Sequence, residues 1–169
     1  MINKYFEDEE IKQNDLFFIC SMIERIARKL HQRNRYVVNA IGYNHLYHLI
    51  SLANVLHSEN PDKVANDWIK EYSLEEGTFD IMDVDHELCT TIPTSFDMGK
   101  VYTRLIVDTA PISEDYVSGM IRVYNDRICD TIDSYTNGAF YEPNGVNLRG
   151  WLFFIAVFPT ISVYLYKCS

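Results

Sequence analysis

The stretch Tyr43–His57, YNHLYHLISLANVLH, decides how the rest of the chain is read. Leu46, Leu49, Ile50, Ala53 and Leu56 recur at spacings of three and four, so they line one face of a helix. Gly42 precedes this run and Ser58-Glu59-Asn60-Pro61 follows it, which limits the helix to about four turns. It also holds His45, His48 and His57, three of the five histidines of the chain. A helix with one apolar face needs other helices to cover it.

Those helices are legible on both sides. Upstream, residues 14–32 carry a continuous stripe of Leu16, Ile19, Cys20, Ile23, Ile26, Ala27 and Leu30, with Asn14 or Asp15 as the expected cap. Its end is basic, through Arg25, Arg28, Lys29 and His31 and then Arg33 and Arg35, which complements the carbonyl end of a helix dipole. A short helix over Arg35–Ile41 should end at Gly42 in a left-handed cap. Downstream, Asn60-Pro61-Asp62 supplies cap, first-turn proline and first-turn acid for a helix that turns Val64, Trp68, Ile69 and Tyr72 inward.

Residues 17–72 resemble a family of short, uncharacterised all-helical bacterial proteins of gut anaerobes and mobile elements. The resemblance is carried by Ile23-Glu24 on the first helix, the Gly42 break, and Leu56-His57 leading into a last amphipathic helix. Some members are encoded beside ADP-ribosyltransferase-like proteins, so the resemblance implies an accessory or antitoxin-like role. It supplies no catalytic residues to carry over. The runs GKVYTRLI and IDSYTNGAFYEP are similar to phrases from proteins of the same bacteria.

The helical pattern lapses after Tyr72. Residues 73–95 read as an acidic surface connection, with Glu75, Glu76, Asp80, Asp83, Asp85 and Glu87 punctuated by Gly77 and Pro93. From Phe96 it resumes with Val101, Tyr102, Leu105 and Ile106. After a turn at Thr109-Ala110-Pro111, Ser113 is the expected cap of a helix running from Tyr116 towards Tyr135, with a kink or restart at Asn125-Asp126 and an end at Asn137-Gly138. The last stretch, Trp151 to Tyr166, has no charge, is apolar all round and is flanked by Arg149 and Lys167. As a helix it would rise roughly 24 Å, short of the ~30 Å hydrocarbon core, with Pro159 inside it. A buried final helix or strand pair is its first reading, a membrane-touching tail the second and an aberrant C-terminus the third.

The expected fold is therefore all-α: a multi-helix bundle of two small helical units, residues 1–72 and 96–150, joined by 73–95 and followed by an apolar segment over 151–169. Few Gly and Pro and no biased tract argue against disorder. The formal net charge of −9 disfavours a polyphosphate partner and suits a basic protein face. Cys20, Cys89, Cys129 and Cys168 have no ligand-like spacing, and the acidic N-terminus MINKYFEDEE has no apolar signal core. Buried free thiols in a reducing cytoplasm follow, with membrane association as the alternative.

Candidate chemistry is sparse. His45 and His48 stand one turn apart and are the best metal candidates, but no Glu-x-x-His pair completes a site, so neither metal nor cofactor is expected. His57 suits a helix end better than catalysis. Asp83, Asp85, His86 and Glu87 lack the glycine and later glutamate of a calcium loop. There is no nucleophile elbow, phosphate loop or dinucleotide fingerprint. Arg104, Arg122, Tyr124 and Glu142 could line a cleft, or pair locally. The basic run Arg25, Arg28, Lys29, Arg33 and Arg35 fits intramolecular neutralisation or a protein partner better than nucleic acid. Function by protein–protein contact is thus expected. The alternatives are a hydrolase or transferase with a site between the units near His45, His48 and Arg104, and a peripheral or tail-anchored membrane protein through residues 151–166.

Overall fold

A computed structural model describes residues 1–80, 83–84, 91–133 and 135. Among them are α1 (Gln13–Lys29), α2 (Asn34–Ser51), α3 (Ala53–Leu56), α4 (Pro61–Glu71), α5 (Ser95–Asp108), α6 (Tyr116–Tyr124) and α7 (Ile128–Ile132), and no strand. The fold is all-α, as the periodicities require. The segment Trp151–Tyr166, Cys89, Cys168, the loop residues Asp85, His86 and Glu87, Glu142 and the Asn137-Gly138 stop lie outside the described residues. Among the described residues no helix is long and apolar enough to cross a membrane.

The hub is α1 rather than the stretch Tyr43–His57. Leu16, Ile19, Cys20, Ile23, Ile26 and Ala27 are all buried, and α1 packs most extensively on α5 and then on α2, with α4 and α3 against it as well. Helix α6 closes the other sides of α2 and α5. Residues from 1–72 and from 96–135 thus enter one shared core. Cys20 and Cys129 are free and buried in it, where burial pushes the Cys20 thiol up to about 12 and the Cys129 thiol well upward. Neither thiol is reactive at neutral pH.

Breaks and caps follow local chemistry, with several corrections. Gly42, at φ 74 and ψ 168, breaks α2 in a region that only glycine occupies comfortably. Leu46, Leu49, Ile50 and Ala53 are buried as their spacing demands, but the helix is interrupted at Leu52, and Leu56 is only half-buried. Helix α1 starts after Lys12, not at Asn14 or Asp15. Asp15 instead reaches back to accept from the Lys12 backbone nitrogen at 2.7 Å. It stops at Leu30 because His31 turns left-handed (φ 50), and Gly77 and Phe79 donate to the carbonyls of Leu30 and His31.

Ser113 is not a cap. It sits at φ 71, and Asp115 caps α6 by accepting from Val117 and Ser118 nitrogens at 2.9 and 3.0 Å. Those same bonds hold the Asp115 carboxyl below its ordinary value against the opposing effect of burial. Asn125-Asp126 is a true break, separating α6 from α7. Thr94, with Asp97, forms the box that starts α5.

Helix α4 is capped as expected, Asn60 Oδ1 accepting from Asp62 and Lys63 nitrogens at 2.8 and 3.4 Å with Pro61 at the first position. Asn60→Ala should therefore cost about 1 kcal/mol. Asn60→Asp should leave the urea unfolding midpoint near wild type, because it keeps the acceptor.

Candidate functional site

Two features stand apart from ordinary packing. The first is a polar cluster buried between α1, α2, α5 and α7. Glu24 lies on the apolar face of α1 and is 1% exposed. Its Oε1 accepts from Arg28 Nε at 2.7 Å and from the Tyr135 hydroxyl at 2.5 Å. Its Oε2 accepts from Asn34 Nδ2 at 2.6 Å, and the same nitrogen donates to Asp133 Oδ1 at 3.1 Å. The Tyr102 hydroxyl also donates to Asp133 Oδ1.

One amide nitrogen thus ties two carboxyls whose nearest oxygens are less than about 6 Å apart. Ionised together they would repel by roughly 3 kcal/mol at an effective dielectric of 20. Burial first, and then the charge of Glu24, push the Asp133 carboxyl up to about 7. Burial also raises the Tyr102 and Tyr135 hydroxyls far above their ordinary range.

Beside the cluster is a cavity of about 10 Å³ lined by Glu24, Arg28, Asn34, Phe79, Asp133 and Tyr135 among others. It admits about one water and no organic substrate. Arg28 Nη2 and Asn34 Oδ1 are buried without a hydrogen-bond partner among the described residues.

The second feature is the loop of residues 1–11, which closes on itself and lies over α2. Met1 nitrogen donates to the Ile11 carbonyl at 2.8 Å and Ile11 nitrogen to that of Met1 at 3.0 Å. Buried Asn3 pins it, its Oδ1 accepting from Tyr5 and Phe6 nitrogens and its Nδ2 donating to the Ser51 carbonyl. The Tyr47 hydroxyl donates to the Ile2 carbonyl at 2.7 Å. Tyr5 then meets the rings of His48 and Tyr47 at 4.8 and 6.1 Å, and Lys4 stands over Tyr47.

Ile2, Tyr5 and Phe6 remain 82%, 51% and 40% exposed, next to the exposed acids Glu7, Asp8, Glu9 and Glu10. Between the loop, the start of α1 and the end of α2 runs an open groove of about 530 Å³, lined by Asp8, Glu9, Glu10 and Asp15 with Ile50 and Asn54.

The residues singled out from sequence are dispersed. His45 Nδ1 is 3.1 Å from the Ile41 carbonyl with its ring against Tyr72, whereas His48 faces Tyr5. They do not share a ligand position, and no group of three His, Cys, Asp or Glu able to hold a metal occurs among the described residues. Arg104 Nε bonds the Lys100 carbonyl. Arg122 clamps Glu114 at 2.7 to 3.2 Å and Tyr124 is buried against Tyr102. His57 ends α3, stacked on Phe18 with Nε2 4.0 Å from Asp15.

In the basic run, Arg25 pairs with Asp62, Arg28 with Glu24, and Arg33 and Arg35 with Asp130. Lys29 bonds Asn66. Neither new feature was anticipated. Glu24 had a signal, a charge lying three and four residues from Ala27 and Cys20 inside the apolar stripe. The loop had none, because it is held by contacts distant in sequence.

No protein-family model matches the chain, and neither a curated protein nor a solved structure matches it.

Proposed function

We propose that the protein works by protein–protein contact rather than catalysis, through the face that loop 1–11 builds over α2. The observation that carries this reading is the exposure of Ile2, Tyr5 and Phe6 on a backbone pinned by Asn3 and Tyr47. A closed surface loop of this size with ordered apolar side chains resembles binding loops more than connectors. Aromatic anchors held in place lose little entropy on docking. The acids beside them favour a partner whose matching rim is basic, and such complementarity sets association rate and selectivity. The accessory or antitoxin-like role implied by the resemblance over residues 17–72 is the concrete form of this proposal, with the product of a neighbouring bacterial gene as partner. The free, buried Cys20 and Cys129 support a reducing cytoplasm as its setting.

Co-expression with the product of the flanking gene tests the reading. The two should co-purify, and Tyr5→Ala combined with Phe6→Ala should weaken binding at least tenfold while circular dichroism stays unchanged. Absence of a complex, or a complex indifferent to the double substitution, would overturn it.

A further inference from the structure

The Glu24–Asp133 cluster has no part in that contact face, and its composition is unusual for mere packing. Both N–H bonds of Asn34 are spent on joining two carboxyls, and Asn34 Oδ1 is buried at the cavity with no partner among the described residues. Arg28 Nη2 lies at the same cavity, also without a partner among the described residues. A single water there would accept from Arg28 Nη2 and donate to Asn34 Oδ1, with its second proton directed at a carboxyl oxygen. The cluster therefore holds two buried carboxyls bridged by one amide, beside a cavity of the size of one water.

We propose that Glu24, Asn34 and Asp133 form a proton-operated latch, which pins α7 to α1 and α2 while the acid pair holds one proton and loosens α7 when that proton is released to solvent. Asp133 is the partner that gains and loses the proton, because Glu24 already receives the Arg28 guanidinium and the Tyr135 hydroxyl.

The groups facing Asp133 are Glu24 and Arg28 from α1, Arg33 and Asn34 from the start of α2, Tyr102 from α5, Cys129 from its own helix, and Tyr135 just beyond it. Release is opposed by the charge of Arg33, which is half-exposed and shared with Asp130, while Arg28 on the same cavity is paired with Glu24. Release of the proton thus leaves two carboxylates tied to one amide.

The sign follows from linkage. The Asp133 proton is held more tightly in the folded chain than in the unfolded one, so the folded form carries one proton more between about pH 5 and pH 7. Stability is full at lower pH and falls as pH rises towards the folded value. Over that range the unfolding constant should rise about tenfold per pH unit from this group.

Carbon-13 NMR of the full chain should give an Asp133 carboxyl midpoint near 7, and α7 amides should lose exchange protection above it while α4 amides keep theirs. Asp133→Asn, which mimics the protonated acid, should flatten the pH slope. Glu24→Gln should bring the Asp133 midpoint down and provides the test if Asp133→Asn does not fold. An Asp133 midpoint below 5, or a slope that persists in Asp133→Asn, would overturn the proposal.

Discussion

Glu24→Ala is expected to destabilise the protein by about 3–5 kcal/mol, the range for removing one partner of a buried, hydrogen-bonded ion pair. The loss exceeds that of the carboxylate's own bonds because three donors are stranded with it. Arg28 Nε, Asn34 Nδ2 and the Tyr135 hydroxyl all end on Glu24, and an unmet buried donor costs about 1–3 kcal/mol. Arg28 recovers part of this, since its side chain is 23% exposed and can swing towards water.

Asn34, 2% exposed, cannot move in the same way, and the cavity beside it is too small to admit bulk solvent. Glu24→Gln should cost less, since its carbonyl oxygen still accepts from Arg28 or Asn34. Urea unfolding followed by circular dichroism would report the difference as a shift in midpoint at constant slope. A loss below 1 kcal/mol for Glu24→Ala would mean that the network contributes nothing beyond its packing.

How much of this was legible varies with the range of the cause. Gly42, Asn60-Pro61-Asp62 and the stripe from Leu16 to Ala27 are local signals, and the helices and breaks they announce are present. Caps were less secure. Ser113, Glu114 and Asp115 all offer oxygens, and the left-handed turn at Ser113 leaves Asp115 in register with the first free nitrogens of α6.

Asp133 shows the limit more clearly. It follows Cys129 by one helical turn, on a buried face, yet nothing local distinguishes a buried aspartate from a solvated one. Its partners Asn34 and Tyr102 are 99 and 31 residues away. The same holds for loop 1–11, whose acids suggest solvation until Asn3 and Tyr47 are seen to fasten it. The choice of α1 over Tyr43–His57 as hub also depends on a distant residue, the glycine at which α5 approaches.

That approach sets the second large effect. Gly99 of α5 faces Ser21 of α1 so closely that a Cβ on it would lie 2.1 Å from Ser21 Oγ and 3.0 Å from both Ser21 Cβ and the Ser21 backbone nitrogen. A hydroxyl can rotate, but a backbone nitrogen cannot, so α1 and α5 must separate along the largest contact among the described helices. Gly99→Ala should lose about 1–3 kcal/mol by overpacking, even though alanine in place of a helical glycine is ordinarily worth about 1 kcal/mol. Gly99→Leu should reach about 3 kcal/mol or more, because its extra atoms must enter space that Ser21 of α1 already fills.

The double variant Ser21→Ala/Gly99→Ala separates the causes. Removing Ser21 Oγ eliminates the 2.1 Å approach and also the bond from that hydroxyl to the Phe17 carbonyl, leaving only the contacts near 3.0 Å. It should therefore be more stable than Gly99→Ala alone, with a coupling of about 0.5–3 kcal/mol between two residues in contact. Gly119→Ala is the control. Its added Cβ meets the Ile106 Cγ2 methyl at 2.8 Å and Glu114 Oε2 at 3.2 Å, side-chain atoms rather than backbone, so a smaller loss is expected. If Gly99→Ala were as stable as wild type while Gly119→Ala was not, the α1–α5 contact would have to be looser than this geometry, and α1 would lose its place as the hub.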